Sequence, residues 1–201
     1  MKRLFHDRIS VICILLGVAL ILGAAGVAIA SRVKDSRAKV DADRLLQKVQ
    51  AMMPPAVNCV PEERGNNTMA SMQIDGVNVV GVLEFPRYGR SLPVVSEWDT
   101  ARVNSVPCRF TGSIYDSSLI IGAVDSQNQI PFAGSLEVGT EVVVTDMEGG
   151  RYTYRVTAIH HAKHATLEKL QEGDYDLTIF VKDSENAQYL LIRCNTKATG
   201  S

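Results

Sequence analysis

Apolar and charged positions divide the 201-residue chain into an uncharged N-terminal segment, a helical stretch and a long β-rich region. Residues 9–30 carry no charged side chain, and 22 such positions are enough for a helix to cross a bilayer core of ~30 Å. Lys2, Arg3 and Arg8 precede the segment, which favours a cytoplasmic N-terminus at 1–8. We therefore predict a single-pass anchor at 9–30, with the C-terminal domain extracellular.

A cleaved signal peptide is the alternative, because Ala28-Ile29-Ala30 matches a small-x-small cleavage site. The apolar segment is longer than the ~7–15 residues of an ordinary signal-peptide core, which favours the uncleaved anchor. Both interpretations export the rest of the chain.

Helical periodicity follows in residues 31–53, where Leu45, Val49 and Met52 share a face and Pro54 ends the pattern. This helix either continues from the anchor as a tether or lays its apolar face on the next domain. Residues 54–72 lack periodicity and have the composition of a linker.

From about residue 73 the pattern changes to short runs of β-branched and aromatic residues separated by turn formers. We predict a short helix at 166–172 and eight strands, at residues 78–84, 92–95, 109–112, 119–121, 141–146, 152–160, 177–181 and 189–194. Eight strands at this spacing predict an all-β domain at 73–196, closed into a barrel because closure removes exposed edges. Residues 197–201 are left as a tail.

The net charge bears on possible partners, and the cysteine content bears on possible disulfides. Lys+Arg 21 against Asp+Glu 22 gives a net charge of −1, which argues against nucleic-acid binding. Three cysteines follow the anchor, at Cys59, Cys108 and Cys194. A Cys108–Cys194 disulfide is one alternative, and separate thiols packed in the core are the one we favour.

Three histidines form the cluster His160, His161 and His164. No carboxylate stands at ligand spacing beside them, and an exposed basic loop explains them better than a zinc site. We therefore expect no metal and no cofactor.

Five blocks of the sequence resemble, in the right order, those of sortases, the cysteine transpeptidases that join proteins to bacterial cell walls or into pili. They are GVLEFPRYGRSLPV (81–94), SEWD (96–99), VPCRFTGSIY (106–115), PFAGSLEVGTEVVVTD (131–146) and the hairpin DLTIFVKDSENAQYLLIRC (176–194). The first is similar to a family strand pair of the form GxLEIPxLGxxLPV, and several resemble clostridial-type chains. The resemblance implies a sortase-like closed eight-stranded β-barrel with short helices.

The resemblance also implies that all three catalytic positions are replaced. In the family a cysteine ends the first strand of this hairpin and an arginine begins the second; here these positions hold Lys182 and Tyr189. The catalytic histidine lies fifteen residues before a strand-opening glycine, which places Val124 there, or Ala123 if the alignment shifts by one. Without a thiolate, a proton donor and a guanidinium, we predict no catalytic residue.

Four residues around these positions are candidate groove or binding residues: Asp125, Lys182, Tyr189 and Arg193. A desolvated lysine can act as a nucleophile, but a lysine at a strand end is more often solvated or paired, here with Asp125. Arg193 shares a strand face with Tyr189 but lies about 13 Å further along, so it does not replace the missing arginine.

Three functions remain open. The first is a catalytically inactive, membrane-anchored sortase-like protein that binds a sorting-signal-like peptide, a pilin or an active sortase at the cell envelope, because a groove can keep its pockets without its reactive groups. The second is an active sortase using non-standard residues, and the third a purely structural envelope protein. We predict the first.

Overall fold

The computed structural model describes residues 39–61, 67–183 and 188–196. The predicted anchor at 9–30, the start of the predicted tether and the tail at 197–201 lie outside the described residues. Within the described ranges, no helix has both the length and the apolar character needed to span a membrane.

Ten strands and two α-helices make up the described domain. The strands are β1 (Val57–Cys59), β2 (Met72–Ile74), β3 (Val77–Phe85), β4 (Arg90–Val95), β5 (Cys108–Thr111), β6 (Leu119–Val124), β7 (Glu141–Asp146), β8 (Gly150–Ala162), β9 (Leu177–Lys182) and β10 (Tyr189–Thr196). The helices are α1 (39–52) and α2 (Leu167–Leu170). Short 3-10 turns lie at Pro86–Tyr88, Arg102–Asn104 and Ala133–Ser135.

Eight of these strands close on themselves. Starting at β3, the order of neighbours is β4, β5, β6, β9, β10, β8 and β7, and β7 pairs again with β3. Strand β1 adds a parallel edge to β8, and β2 forms a hairpin with β3. The predicted all-β, closed eight-stranded barrel is therefore confirmed, and β1 and β2 are additions that begin within the stretch predicted as a linker.

Successive side chains along each strand point alternately into the barrel and out of it. The inward residues of β6, β9 and β10 all belong to the main core: Leu119, Ile121 and Ala123; Leu177, Ile179 and Val181; Leu190, Ile192 and Cys194. Each fully buried aliphatic side chain contributes about 1.5–3 kcal/mol relative to its exposed state, so this interior stabilises the barrel. The outward residues of the same strands remain available for a second layer of structure.

Helix α1 packs against the barrel. Ala42, Leu45 and Val49 are buried, whereas Met52 is 53% exposed. An ion pair joins Lys48 Nζ to an Asp75 carboxylate oxygen at 2.6 Å beside this contact. Of the two alternatives for this stretch, the described part therefore lies on the domain. Met52 is at the C-terminal end of α1 and stays exposed although the spacing places it on the face of Leu45 and Val49.

The three described cysteines are all free thiols. Cys194 lies inside the barrel, Cys108 lies in a separate apolar cluster with Val103 and Val106, and Cys59 is half-buried. The Cys108–Cys194 disulfide alternative is wrong, and the interpretation as packed thiols is confirmed for these two residues.

Candidate functional site

Val124, Lys182 and Tyr189 lie side by side at the ends of three adjacent strands. Val124 and Lys182 are register partners in the parallel pair β6–β9, and Lys182 and Tyr189 are partners in the antiparallel pair β9–β10. Neighbouring strands are about 4.8 Å apart, so the row crosses roughly 10 Å of sheet. Positions separated by up to 65 residues in the sequence therefore meet at one site because the chain crosses over between β6 and β9.

This row is part of the floor of a cleft of about 350 Å³ on the outer surface of the barrel. The walls come from the β4–β5 connection, from β5 and from the loop before α2. The described lining residues are Trp98, Thr100, Val103, Asn104, Phe110, Ala123, Val124, Ala165, Phe180, Lys182 and Tyr189.

Aromatic rings form most of the apolar surface of the cleft. The ring centroids of Trp98 and Phe110 are 5.2 Å apart, those of Trp98 and Phe180 5.4 Å, and those of Phe110 and Phe180 5.5 Å. Tyr189 lies at the edge of this group, 6.3 Å from Phe180. Two of the three closest pairs are edge-to-face, an arrangement that stabilises aromatic pairs by ~0.5–1.5 kcal/mol beyond their burial.

Gly122 makes room for these rings. It lies on the outward face of β6, where it is the register partner of Phe180 on β9. A Cβ atom at this position would lie 2.6 Å from Phe180 Cζ and would also overlap the ring of Trp98. The sequence folds this way locally because glycine leaves the backbone of β6 accessible to both rings.

The 3-10 turn in the β4–β5 wall is fixed by Asp99. Asp99 Oδ1 accepts hydrogen bonds from the backbone N–H groups of Ala101, at 2.7 Å, and Arg102, at 3.0 Å. These two donors lower the pKa of the Asp99 carboxyl, with Arg102 making the larger contribution. Asp99 therefore holds the turn that presents Val103 and Asn104 to the cleft.

The Gln129 side chain connects this wall to the floor of the cleft through two hydrogen bonds. Its Nε2 donates to Val103 O at 2.7 Å, and its Oε1 accepts from Val124 N–H at 3.2 Å. The side chain is fully buried, so both bonds are shielded from water. Gln129 thus fixes the position of Val124 relative to the wall without lining the cleft itself.

Lys182 ends β9 and Asp125 directly follows the neighbouring strand β6, and Asp125 N–H donates to Lys182 O at 2.9 Å. The Lys182 side chain is exposed, as expected for a solvated lysine. Asp125 lines a smaller cavity of about 60 Å³ next to the cleft, together with His161, Asp183 and Tyr189. The structure therefore brings Lys182 and Tyr189 together in the cleft and places the Asp125 side chain beside it.

Arg193, the fourth candidate binding residue, lies outside the cleft. It is only 3% exposed, and its guanidinium donates to Leu170 O and Lys169 O at the end of α2 and to Thr178 Oγ1 at 2.8 Å. The ring of Tyr175 covers it at 5.2 Å. Arg193 shares the outward face of β10 with Tyr189, as the strand parity predicts, but it is used to hold α2 against the barrel.

The Cys108 thiol is buried behind the wall of the cleft. Cys108 packs with Val103 and Val106 and is fully buried. Burial raises the pKa of its thiol to about 11. Since the thiolate is the reactive form, Cys108 is held in the unreactive state at neutral pH.

His160 and His161 lie on consecutive positions of β8 and therefore point to opposite faces, and both are exposed, as is His164 in the loop that follows. His161 borders the small cavity rather than the cleft. Among the described residues that line the cleft there is neither a cysteine nor a histidine. The arrangement combines aromatic surface with one ammonium group, which suits it to binding.

Sequence reasoning did not identify Trp98, Phe110 and Phe180 as site residues. Trp98 follows β4 in an irregular segment, and Phe110 lies where the β5–β6 register shifts between Arg109 and Thr111. Period-2 alternation carries no information at either place. Phe180 lies between Ile179 and Val181 and has the character of a core residue, although the polar residues Thr178 and Lys182, two positions away on either side, share its face and were the available signal.

Several solved structures are similar to this chain. Sortase C1 from Streptococcus agalactiae matches with a TM-score of 0.54 and 21% identity over 67% of this chain and 74% of that chain. Clostridium perfringens sortase C with the C-terminal cell wall sorting motif matches with a TM-score of 0.51 and 16% identity over 60% and 71%. A lid mutant of sortase A from Corynebacterium diphtheriae matches with a TM-score of 0.50 and 17% identity over 61% and 72%.

These similarities show that the chain has the sortase fold, as the five sequence blocks predicted. No protein-family model and no curated protein matches the sequence.

Proposed function

We propose that this chain, which has the sortase fold, is a catalytically inactive member of the sortase family that binds a peptide or protein partner through the cleft described above. One observation carries the proposal. The positions that the resemblance assigns to cysteine, histidine and arginine are adjacent in one row, and they hold Lys182, Val124 and Tyr189.

The chemistry of transpeptidation explains why this row is unreactive. The reaction needs a thiolate to attack a carbonyl carbon, an acid to protonate the departing amine and a positive group for the developing oxyanion. Val124 has no ionisable group, and Lys182, exposed and hydrated, lacks the apolar burial that activates lysine nucleophiles. The aromatic surface and the pocket remain, and these are the features that bind a partner.

An assay of the purified full chain tests the loss of chemistry. The chain is incubated in a mild non-ionic detergent with a labelled peptide that carries a cell wall sorting motif and with an excess of a nucleophilic amine. We expect neither hydrolysis nor transfer above the rate without protein. Amine-dependent transfer that disappears in a Lys182→Met variant would instead support an active enzyme with non-standard residues.

Reinstating the family's reactive groups gives the stronger test. In the triple variant Val124→His, Lys182→Cys and Tyr189→Arg, we expect cleavage of the sorting peptide to appear. The matched control is Val124→His with Tyr189→Arg, which restores two groups but no nucleophile and should remain inactive. A triple variant that folds normally but neither cleaves nor binds the peptide would argue against a conserved cleft.

We also propose that residues 9–30 anchor the chain in the cell membrane, with the barrel outside. Support comes from the uncharged length of the segment and from the three positive charges that precede it. After membrane fractionation and alkaline extraction, the chain should stay in the pellet, and protease added to intact cells should degrade the barrel. Release by alkaline extraction would favour the cleaved signal peptide.

A further inference from the structure

We propose that the cleft captures the free C-terminus of a peptide chain whose last residue has an aromatic or large apolar side chain. This inference rests on the proposed binding function and specifies its ligand. Four properties of the cleft lead to it: its charge, its aromatic surface, its polar rim and its size.

The charge of the cleft comes from one residue. Among the described residues that line it, Lys182 is the only charged one, and its ammonium group is exposed. Asp125 and Asp183, its neighbours in the fold and in the sequence, line the separate small cavity with His161. A compact ammonium with three donors at the edge of an apolar cleft is complementary to an anion.

The aromatic surface defines the rest of the ligand. Trp98, Phe110 and Phe180 pack against one another at centroid separations of 5.2–5.5 Å and form one continuous apolar surface of the cleft. Lys182 and Phe180 are two positions apart on β9, so their side chains leave the sheet on the same face about 7 Å apart. That spacing suits a residue whose carboxylate meets the ammonium while its side chain contacts the rings.

The rim of the cleft supplies polar groups for the ligand's backbone. Thr100 and Asn104 line the wall above the rings, and both are exposed. Asn104 Nδ2 donates to Thr100 O at 3.1 Å, so the amide is already oriented within the wall. Thr hydroxyl and Asn amide groups are among the polar groups that fix the orientation of a ligand in a pocket.

The size favours a chain end over a longer segment. Ligand sites for small molecules range over about 300–1,000 Å³, and the cleft, at about 350 Å³, lies at the low end. This volume is enough for one terminal residue and part of the residue before it. An internal segment would place a neutral peptide bond near Lys182 and would gain nothing from its charge.

The test compares peptides that differ only at the terminus. The purified full chain is titrated with an N-acetylated pentapeptide ending in Phe, as the free acid and as the C-terminal amide, and binding is followed by calorimetry and by Trp98 fluorescence. We expect the acid to bind at least 10-fold more tightly than the amide. Added salt should weaken the binding of the free-acid peptide more than that of the amide peptide, because the preference for the carboxylate is electrostatic.

Two variants and one further ligand make the outcome specific. Lys182→Met keeps the aliphatic stem and should abolish the preference for the acid, whereas Lys169→Met, at an exposed lysine of α2, should keep it. The small acid 3-phenylpropionate carries the same chemistry without a peptide chain, and it should bind more weakly than the pentapeptide. Equal affinity for both would overturn the assignment to a peptide.

The remaining outcomes separate this inference from the proposed function. If acid and amide bind equally and Lys182→Met has no effect, the C-terminal inference is wrong while a peptide-binding cleft stands. If the triple variant of the preceding section cleaves a sorting peptide but no C-terminal probe binds, the inference alone fails. If no peptide of any kind binds or is cleaved, both fail.

Discussion

The substitution Gly122→Ala tests whether the aromatic packing of the cleft depends on the absence of a side chain at this position. The added methyl carbon would lie 2.6 Å from Phe180 Cζ, about 1 Å inside the ordinary carbon–carbon contact distance of ~3.5–4.0 Å. Phe180 is 4% exposed and packs edge-on against Phe110, so it has little room to move. Trp98 is half-buried on the wall, and we expect it to be displaced outward.

Overpacking of this kind costs ~1–3 kcal/mol of the free energy of unfolding. For a domain of this size, that corresponds to a fall in Tm of roughly 2–12 °C. Trp98 is the only tryptophan in the chain, so intrinsic fluorescence reports directly on the wall. We expect a red-shifted emission and stronger quenching by acrylamide in Gly122→Ala.

Gly134→Ala is the matched control, because a Cβ atom there meets no atom within 4 Å and the residue is exposed. Its Tm and its emission should remain those of the unmodified chain. If Gly122→Ala leaves both the stability and the Trp98 emission unchanged, or if Gly134→Ala changes them as much, the packing described for the cleft is incorrect.

Two further predictions concern groups outside the cleft. In a denaturant titration, Arg193→Met should lower the free energy of unfolding by about 2–4 kcal/mol, because it leaves the carbonyl groups of Lys169 and Leu170 without their donor. Arg155→Met, a control at an exposed arginine, should lower it by less than about 1 kcal/mol. Burial raises the pKa of Cys108 from 9 to about 11, so the thiol ionises in the unfolded chain before it ionises in the folded chain. The free energy of unfolding should therefore be unaffected by this group below pH 9 and should fall as pH rises from 9 to about 11. Between these pH values Cys108→Ala should lose about 1–2 kcal/mol less stability than the unmodified chain, and an equal loss would contradict the assignment.

The sequence was sufficient to predict the barrel because each of its eight strands has either alternation or a dense β-branched run between turn residues. Strands β1 and β2 have three residues each, too few for any period to be visible. The row of Val124, Lys182 and Tyr189 followed from a resemblance, since register between distant strands cannot be read from local patterns. The even spacing of Tyr189 and Arg193 on β10 correctly predicted that both side chains lie on the same face. No pattern in the neighbouring sequence indicates that α2 covers Arg193.

The division of each strand into inward and outward residues explains how the residues at the ends of β9 and β10 can change while the barrel keeps its shape. Lys182 and Tyr189 lie on the outward face, and the inward residues of the same strands, among them Val181 and Leu190, form the core. Changes at Lys182 and Tyr189 therefore leave the inward-facing core of the barrel intact, although Tyr189 packs against a smaller apolar cluster on the outer face. The free energy of unfolding of the triple variant Val124→His, Lys182→Cys and Tyr189→Arg should therefore differ by about 1 kcal/mol or less from that of the unmodified chain. Val124 is 9% exposed, so we expect its replacement to account for most of any loss. Thermal melts followed by circular dichroism measure this. A loss of several kcal/mol would instead mean that the residues of the row help to stabilise the barrel.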